Sequence, residues 1–205
     1  MRSDDKLMTA TPAQPHVIIV AGPNGAGKST SAPRLLRDAL AVVEFVNADA
    51  IAVGLSAFKP ESVAIAAGRL MLERMRQLAA ARANFAFETT LASRSFAPWI
   101  TGLRRHGYCA HLLFLRLESE DLAVNRVAER VRMGGHDVPE EIIRRRYKRG
   151  LNNFFGLYQP VMNSWQLFDN SSTLGPRLIA SGEGKSARLI EDAATWRELK
   201  EAYND

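Results

Sequence analysis

Gly22-Pro23-Asn24-Gly25-Ala26-Gly27-Lys28-Ser29-Thr30 decides the fold. These residues fit the phosphate-loop pattern G-x-x-x-x-G-K-S/T. The glycines let the backbone wrap a polyphosphate, because side chains there would hold the N–H groups away from it. A helix opened by the loop adds free N–H groups and a positive dipole end. Lys28 is placed to reach the outer phosphates, and the Ser29 hydroxyl to ligate Mg²⁺. The flanks agree. His16-Val17-Ile18-Ile19-Val20-Ala21 is a short β-branched apolar run, and Ser31-Ala32-Pro33-Arg34-Leu35-Leu36-Arg37 has helical spacing. Pro33 is tolerated only near the start of that helix. Strand, glycine-rich loop and helix in this order predict a site for ATP or GTP.

Composition bounds the rest. The chain has 205 residues, 46% hydrophobic and 24% charged, enough for one α/β domain with a full core. A net charge of +5 favours an anionic partner. The one cysteine, Cys109, excludes an internal disulfide and a zinc site built on cysteines; its apolar surroundings predict core packing in a reducing compartment. Residues 1–15 are polar, carry Pro12 and Pro15, and lack the apolar stretch of a signal peptide. They read as a loose, disordered tail before a single domain over 16–205. With no membrane span in the pattern, a cytoplasmic location is expected.

Strands and helices alternate along that domain. Val43-Glu44-Phe45-Val46-Asn47 reads as a second strand ending at Asp49, and 54–60 as a loop. A long helix is expected from Glu61 to about Arg82, then a strand at Asn84-Phe85-Ala86-Phe87 delivering Glu88-Thr89-Thr90. Ser95 to His106 reads as a helix, and Cys109 to Leu117 as a buried parallel strand in which His111 is a satisfied core or edge residue. Ser119 caps a helix carrying Arg126, Arg130 and Arg132; Met133 to Pro139 breaks it; a second helix runs to about Tyr158. Trp165 to Asn170 is a fifth strand, 178–190 a hairpin or a strand with its loop, and 192–203 a last helix. The pattern predicts a parallel five-stranded core sheet with helices on both faces and a small helical lid around 126–146.

Ligands of such sheets sit outside the carboxyl ends of the strands, so the phosphate loop, Asp49 and Glu88 should share one crevice. Asp49 has two readings, a base for a substrate hydroxyl or a cap on the following helix. Glu88 stands where kinases place the acid that orients Mg²⁺, directly or through water. Arg126 and Arg130 share a helix face, and lid arginines neutralise charge on a transferring phosphoryl group. Arg144, Arg145 and Arg146 cannot all face one ligand from a helix, so Arg130 and then Arg126 are favoured.

The ordered set resembles the zeta-toxin family of phosphate-loop kinases, in its compact bacterial branch, over roughly residues 16–170. The resemblance rests on residues 22–30, on Asn47-Ala48-Asp49, on Phe87-Glu88-Thr89-Thr90-Leu91, and on Arg130 followed by Gly134-Gly135-His136-Asp137-Val138-Pro139. It implies ATP and Mg²⁺ as cofactors and an antitoxin protein as a partner. It also implies phosphorylation of a sugar hydroxyl on a UDP-N-acetyl sugar. By that resemblance Asp49 is the general base, Lys28 and Ser29 hold phosphate and metal, and Arg130 reaches the phosphates. Asn47, Glu88, Thr90 and Arg94 then lie on the substrate side. Two departures concern the acceptor: His136 stands where the toxins carry a second lid arginine, and Arg94 lies further from the glutamate than the toxins' arginine.

The first reading is therefore an ATP- and Mg²⁺-dependent kinase of a small, phosphorylated or nucleotide-sugar acceptor. A kinase of nucleic-acid ends is the second; the basic charge permits it, but no aromatic-and-basic strand pattern supports it. A nucleotide-operated binding module or transporter-type ATPase is the third, and the Leu-Ser-Gly-Gly-Gln signature it needs is missing from the sequence.

Overall fold

The computed structural model describes residues 14–40 and 44–203. The expected tail lies almost wholly outside the described residues. β1 (His16–Ala21) is the β-branched run before the phosphate loop, and Val17 to Ala21 are buried, as an interior parallel strand requires. Around it lie β2 (Glu44–Val46), β3 (Phe85–Thr89), β4 (Cys109–Arg116), β5 (Ser164–Asp169), β6 (Arg177–Glu183) and β7 (Ser186–Ile190), in the order β2-β3-β1-β4-β5-β6-β7. The first five are mutually parallel and form the expected core. β6 and β7 form an antiparallel hairpin, one of the two readings of 178–190, at the β5 edge, and bring the sheet to seven strands among the described residues.

Crossover handedness distributes the helices. The chain moves one way across the sheet from β1 to β2 and the other way in its three later parallel crossovers. Right-handed connections then place α1 (Lys28–Leu40) on one face and α3 (Ala64–Ala80), α4 (Phe96–Arg105), α5 (Glu120–Arg132) and α6 (Glu140–Asn153) on the other. The core follows that division. Ala32 and Leu36 of α1 pack on Ile18, Val20 and Leu113 in a small cluster. The opposite face carries the large cluster, with Phe87, Ile100, Phe114, Val127, Tyr147 and Trp165 among its members. α7 (Ala193–Tyr203) joins the same large cluster; Trp196 stacks on Trp165 with ring centroids 5.5 Å apart.

Three local expectations are corrected. The second strand stops at Val46 instead of Asp49, and a helix, α2 (Ala48–Leu55), takes in Asp49, read as strand end, and Gly54 and Leu55, read as loop. The cause is Asn47, whose Oδ1 accepts from Asp49 N at 2.8 Å and Ala50 N at 3.2 Å, satisfying donors at the helix start. The long helix from Glu61 is a 3₁₀ turn over Pro60–Val63 followed by α3. Pro33 lies well inside α1; since the chain enters α1 at Lys28, this proline removes the bond that Ser29 O would receive.

Candidate active site

The phosphate loop is built by close approach. Gly22 has φ +145°, and a Cβ there would lie 2.2 Å from Leu115 O. Gly27 has φ +73°, and a Cβ would meet the Asn170 side chain at 2.8 Å. Asn170, just past β5 and buried, donates from Nδ2 to Ala26 O at 2.8 Å and so holds the loop from behind. Pro23, Asn24, Gly25 and Ala26 complete the turn between β1 and α1, with Ala26 N bonded to Pro23 O at 3.2 Å.

Lys28 is folded into this turn, 7% exposed, with Nζ 2.9 Å from Pro23 O and 3.7 Å from Glu88 Oε1. Burial pushes its ammonium below the usual lysine range; the Arg130 charge acts in the same direction, and Glu88 and Asp49 oppose it. An anion in the loop would therefore settle a positive charge that the fold already holds at some cost. Ser29, exposed at the start of α1, donates from Oγ to Glu88 Oε2 at 2.7 Å, and Asn47 Nδ2 donates to the same oxygen at 2.8 Å. Three segments distant in sequence thus meet at one carboxylate. Glu88 owes its place to β3, which runs beside β1 with Glu88 in register with Val20.

A crevice of about 210 Å³ opens beside Lys28 and Glu88. Its walls include Asn47, Asp49, Thr90, Phe96 and Arg146. Asp49 lies in the first turn of α2, with its cap role taken by Asn47, and its carboxylate is exposed on the crevice. Thr90 is set by the strained turn that follows β3. Leu91 is buried at φ +59°, its N–H donates to Thr89 Oγ1, and its carbonyl accepts from Asn153 Nδ2 at 2.8 Å. Gly150 of α6 lets the helix touch this turn, since a Cβ there would lie 2.7 Å from Thr90 O.

The arginines sort differently from the sequence expectation. Arg146 lines the crevice and donates from Nη1 to Asn24 Oδ1 at 3.3 Å. Its pKa is lowered by burial, against the attraction of Asp49. The three consecutive arginines point different ways, as expected, yet one of them enters the crevice. Arg144 pairs with Asp121 at 2.7 Å and Glu140 at 2.8 Å, and Arg145 is exposed. Arg146 stands three residues after buried Ile143 and four before buried Gly150, which is the signal that would have found it.

Arg126 does not face the crevice. Its Nη1 and Nη2 donate to Asn170 O and Ser171 O, both at 2.7 Å. It thereby fixes the loop whose Asn170 holds Ala26. Arg130 donates from Nη2 to His136 O at 2.7 Å across the α5–α6 break. Arg130 Nε and His136 Nδ1 are buried without a hydrogen-bond partner among the described residues. Arg94 is exposed and lines a separate hollow with Arg149, Asn152 and Asn153. No single helix among the described residues is long and apolar enough to cross a membrane.

The residues fit the groups that the loop implies. The loop glycines pack their Cα atoms too closely on Leu115, Ala123 and Asn170 to admit a Cβ, which leaves the outer side of the loop to its N–H groups. The Ser29 hydroxyl and Glu88 carboxylate offer converging hard oxygens, the donors that Mg²⁺ prefers.

Comparison with known proteins agrees with this architecture. A Haemophilus influenzae protein with no stated activity is 28% identical over 134 residues, covering 65% of this chain and 94% of that protein. The AvrRxo1-ORF1:AvrRxo1-ORF2 structure with sulphate ions superposes with a TM-score of 0.70 at 15% identity, and the one with ATP with 0.68 at 16%. That match covers 91% of this chain but only 63% of the other, so the chain spans less than two thirds of that protein's length. The PezAT toxin–antitoxin structure from Streptococcus pneumoniae superposes with a TM-score of 0.63 at 15% identity over 97% of this chain and 82% of that one. The zeta-toxin-like phosphate-loop fold expected from the motifs is thus the fold observed. A family model described as an AAA domain matches residues 17–154, and the chain belongs to that family.

Proposed function

We propose that the protein is an ATP-dependent kinase that transfers the terminal phosphoryl group to a hydroxyl of a small acceptor. One observation carries the reading: Asp49 stands on the crevice wall, with the capping role that competed for it taken by Asn47, while Lys28 and Arg146 lie on the same crevice. A carboxylate there is placed to take the acceptor's proton as its oxygen attacks phosphorus. Lys28 and the loop amides hold the β- and γ-phosphates, and Arg130 and Arg146 offset charge on the transferring group. Mg²⁺, held by Ser29 with Glu88 direct or through water, would neutralise phosphate oxygens. Asn47, which donates to the Glu88 carboxylate, would keep it aimed at such a metal.

In this reading the acceptor binds between Asp49 and Thr90, which both line the crevice. Its class follows from the resemblance, with a UDP-N-acetyl sugar first, and Lys28 and Arg146 on the crevice favour a phosphorylated molecule. An antitoxin partner is part of the same proposal, supported by the likeness of fold to the PezAT toxin–antitoxin structure.

Incubation with γ-labelled ATP and fractionated cell metabolites tests the reading. Label should move to one phosphate-bearing metabolite fraction. Release of inorganic phosphate alone, unaffected by any fraction, would make the protein an ATPase and end the kinase proposal.

A further inference from the structure

A second group of chemically potent side chains lies at the far end of β1 from the phosphate loop. His16 is in register with Cys109, and Ile18 with His111. Alternate residues of a strand share a face, so His16, Cys109 and His111 all project from the sheet face that α1 covers. One ring nitrogen of each histidine and the Cys109 sulfur lie within 4.8 Å of one another. His16 Nδ1 and His111 Nε2 are 2.9 Å apart, and the rings are inclined by only 18°.

We propose that His16, Cys109 and His111 form a binding site for a borderline divalent cation of the zinc class, with a fourth position open to solvent. Zinc takes imidazole and thiolate together, at about 2.0–2.1 Å from nitrogen and about 2.3 Å from sulfur. Tetrahedral ligation at those lengths needs the two nitrogens about 3.4 Å apart. The present pair must open by a few tenths of an ångström, within reach of half-buried side chains on a sheet rim. One cysteine excludes a site built on several thiolates; it leaves this mixed set intact. Soft and borderline donors also separate the site from the oxygen ligands at Ser29 and Glu88, which suit Mg²⁺.

The surroundings prepare the ligands. His111 Nδ1 lies 2.7 Å from Ser164 Oγ. A proton on Nδ1, given to that hydroxyl, leaves the Nε2 lone pair facing His16, as outer-shell partners of metal-bound histidines do. His16 then carries its proton on Nδ1 and moves it to Nε2 when the cation enters. Cys109 gives its thiol proton to solvent on binding, so one proton leaves per cation bound. A hollow of about 410 Å³ borders His111 beside Ser164 and Gln166.

The test uses the full chain, stripped with a chelator. Cobalt(II) should bind at one per chain with a thiolate-to-metal absorption band. One equivalent of Zn²⁺ should slow modification of Cys109, the sole cysteine, by a thiol reagent at least tenfold. Both readouts use the unsubstituted protein, so misfolding of a variant cannot obscure them. Cys109→Ser should abolish the band while leaving ATP binding unchanged, and His111→Ala should weaken zinc binding about tenfold or more. Cobalt binding without a thiolate band, or a Cys109 reaction rate indifferent to Zn²⁺, would overturn the proposal and leave only a hydrogen-bonded histidine pair.

Discussion

Arg146 Nη1 donates to Asn24 Oδ1 at 3.3 Å, tying α6 to the phosphate loop across 122 residues of sequence. The bond places a guanidinium over the crevice before any ligand arrives. Arg146→Ala should lower turnover by about 10²–10³-fold while changing ATP affinity much less, as loss of a contact made mainly in the transition state does. Arg145→Ala, one residue away and exposed, is the control and should leave turnover unchanged. Steady-state kinetics on the two variants decide it; equal losses in both would reduce Arg146 to one charge in a general positive field.

Asn47 serves two partners at once, and two substitutions separate them. Its Oδ1 caps α2 and its Nδ2 holds Glu88. Asn47→Ala should cost about 1 kcal/mol of stability for the lost cap and should also lower activity. Asn47→Ser caps nearly as well and is too short to restrain Glu88, so it should recover thermal stability without recovering activity. Recovery of both in Asn47→Ser would make the residue a helix cap alone.

Alkaline stability follows from two tyrosines. Burial raises the phenols of Tyr147 and Tyr158 from 10.0 to about 12. Tyr147 donates to Leu117 O at 2.7 Å and Tyr158 to Ser93 O, and both bonds need the neutral phenol. The folded state therefore keeps protons that the unfolded chain releases. Their stabilising contribution is complete below pH 10, then falls as pH rises toward about 12. Denaturant titrations across that range should show stability falling with pH, and less steeply in Tyr147→Phe than in the parent. An unchanged slope in that variant would show that the Tyr147 hydroxyl is not held neutral by the fold.

The parts of this architecture that could be read from sequence are those where one residue type has one use. The β-branched run, the glycines and Lys28 specify β1, the loop and the start of α1 without help from elsewhere. Phe85-Ala86-Phe87 before Glu88 specifies a buried strand with an acid at its end. Helix α2 escaped because Ala48 to Leu55 lacks a polar face and contains Gly54, and the signal lay in the Asn47 cap. Arg126 escaped for another reason. Its partners are main-chain carbonyls of Asn170 and Ser171, and carbonyls 44 and 45 residues away leave no trace in side-chain pattern. Arg146 was legible in principle from Ile143 and Gly150, but a run of three arginines reads first as a solvated face. His16, Cys109 and His111 become neighbours only through strand register, which spacing along the chain does not reveal.

The central claim is that Asp49 takes the acceptor's proton during phosphoryl transfer. Asp49→Asn keeps size and shape, and Asn47 still caps α2, so stability and ATP affinity should hold. The decisive measurement is the rate of label transfer from γ-labelled ATP to the acceptor fraction, compared between the parent and Asp49→Asn at matched ATP occupancy. The account predicts a fall of about 10²-fold or more in transfer, with the variant still folded and still binding ATP. Transfer by Asp49→Asn at the parent's rate would contradict it.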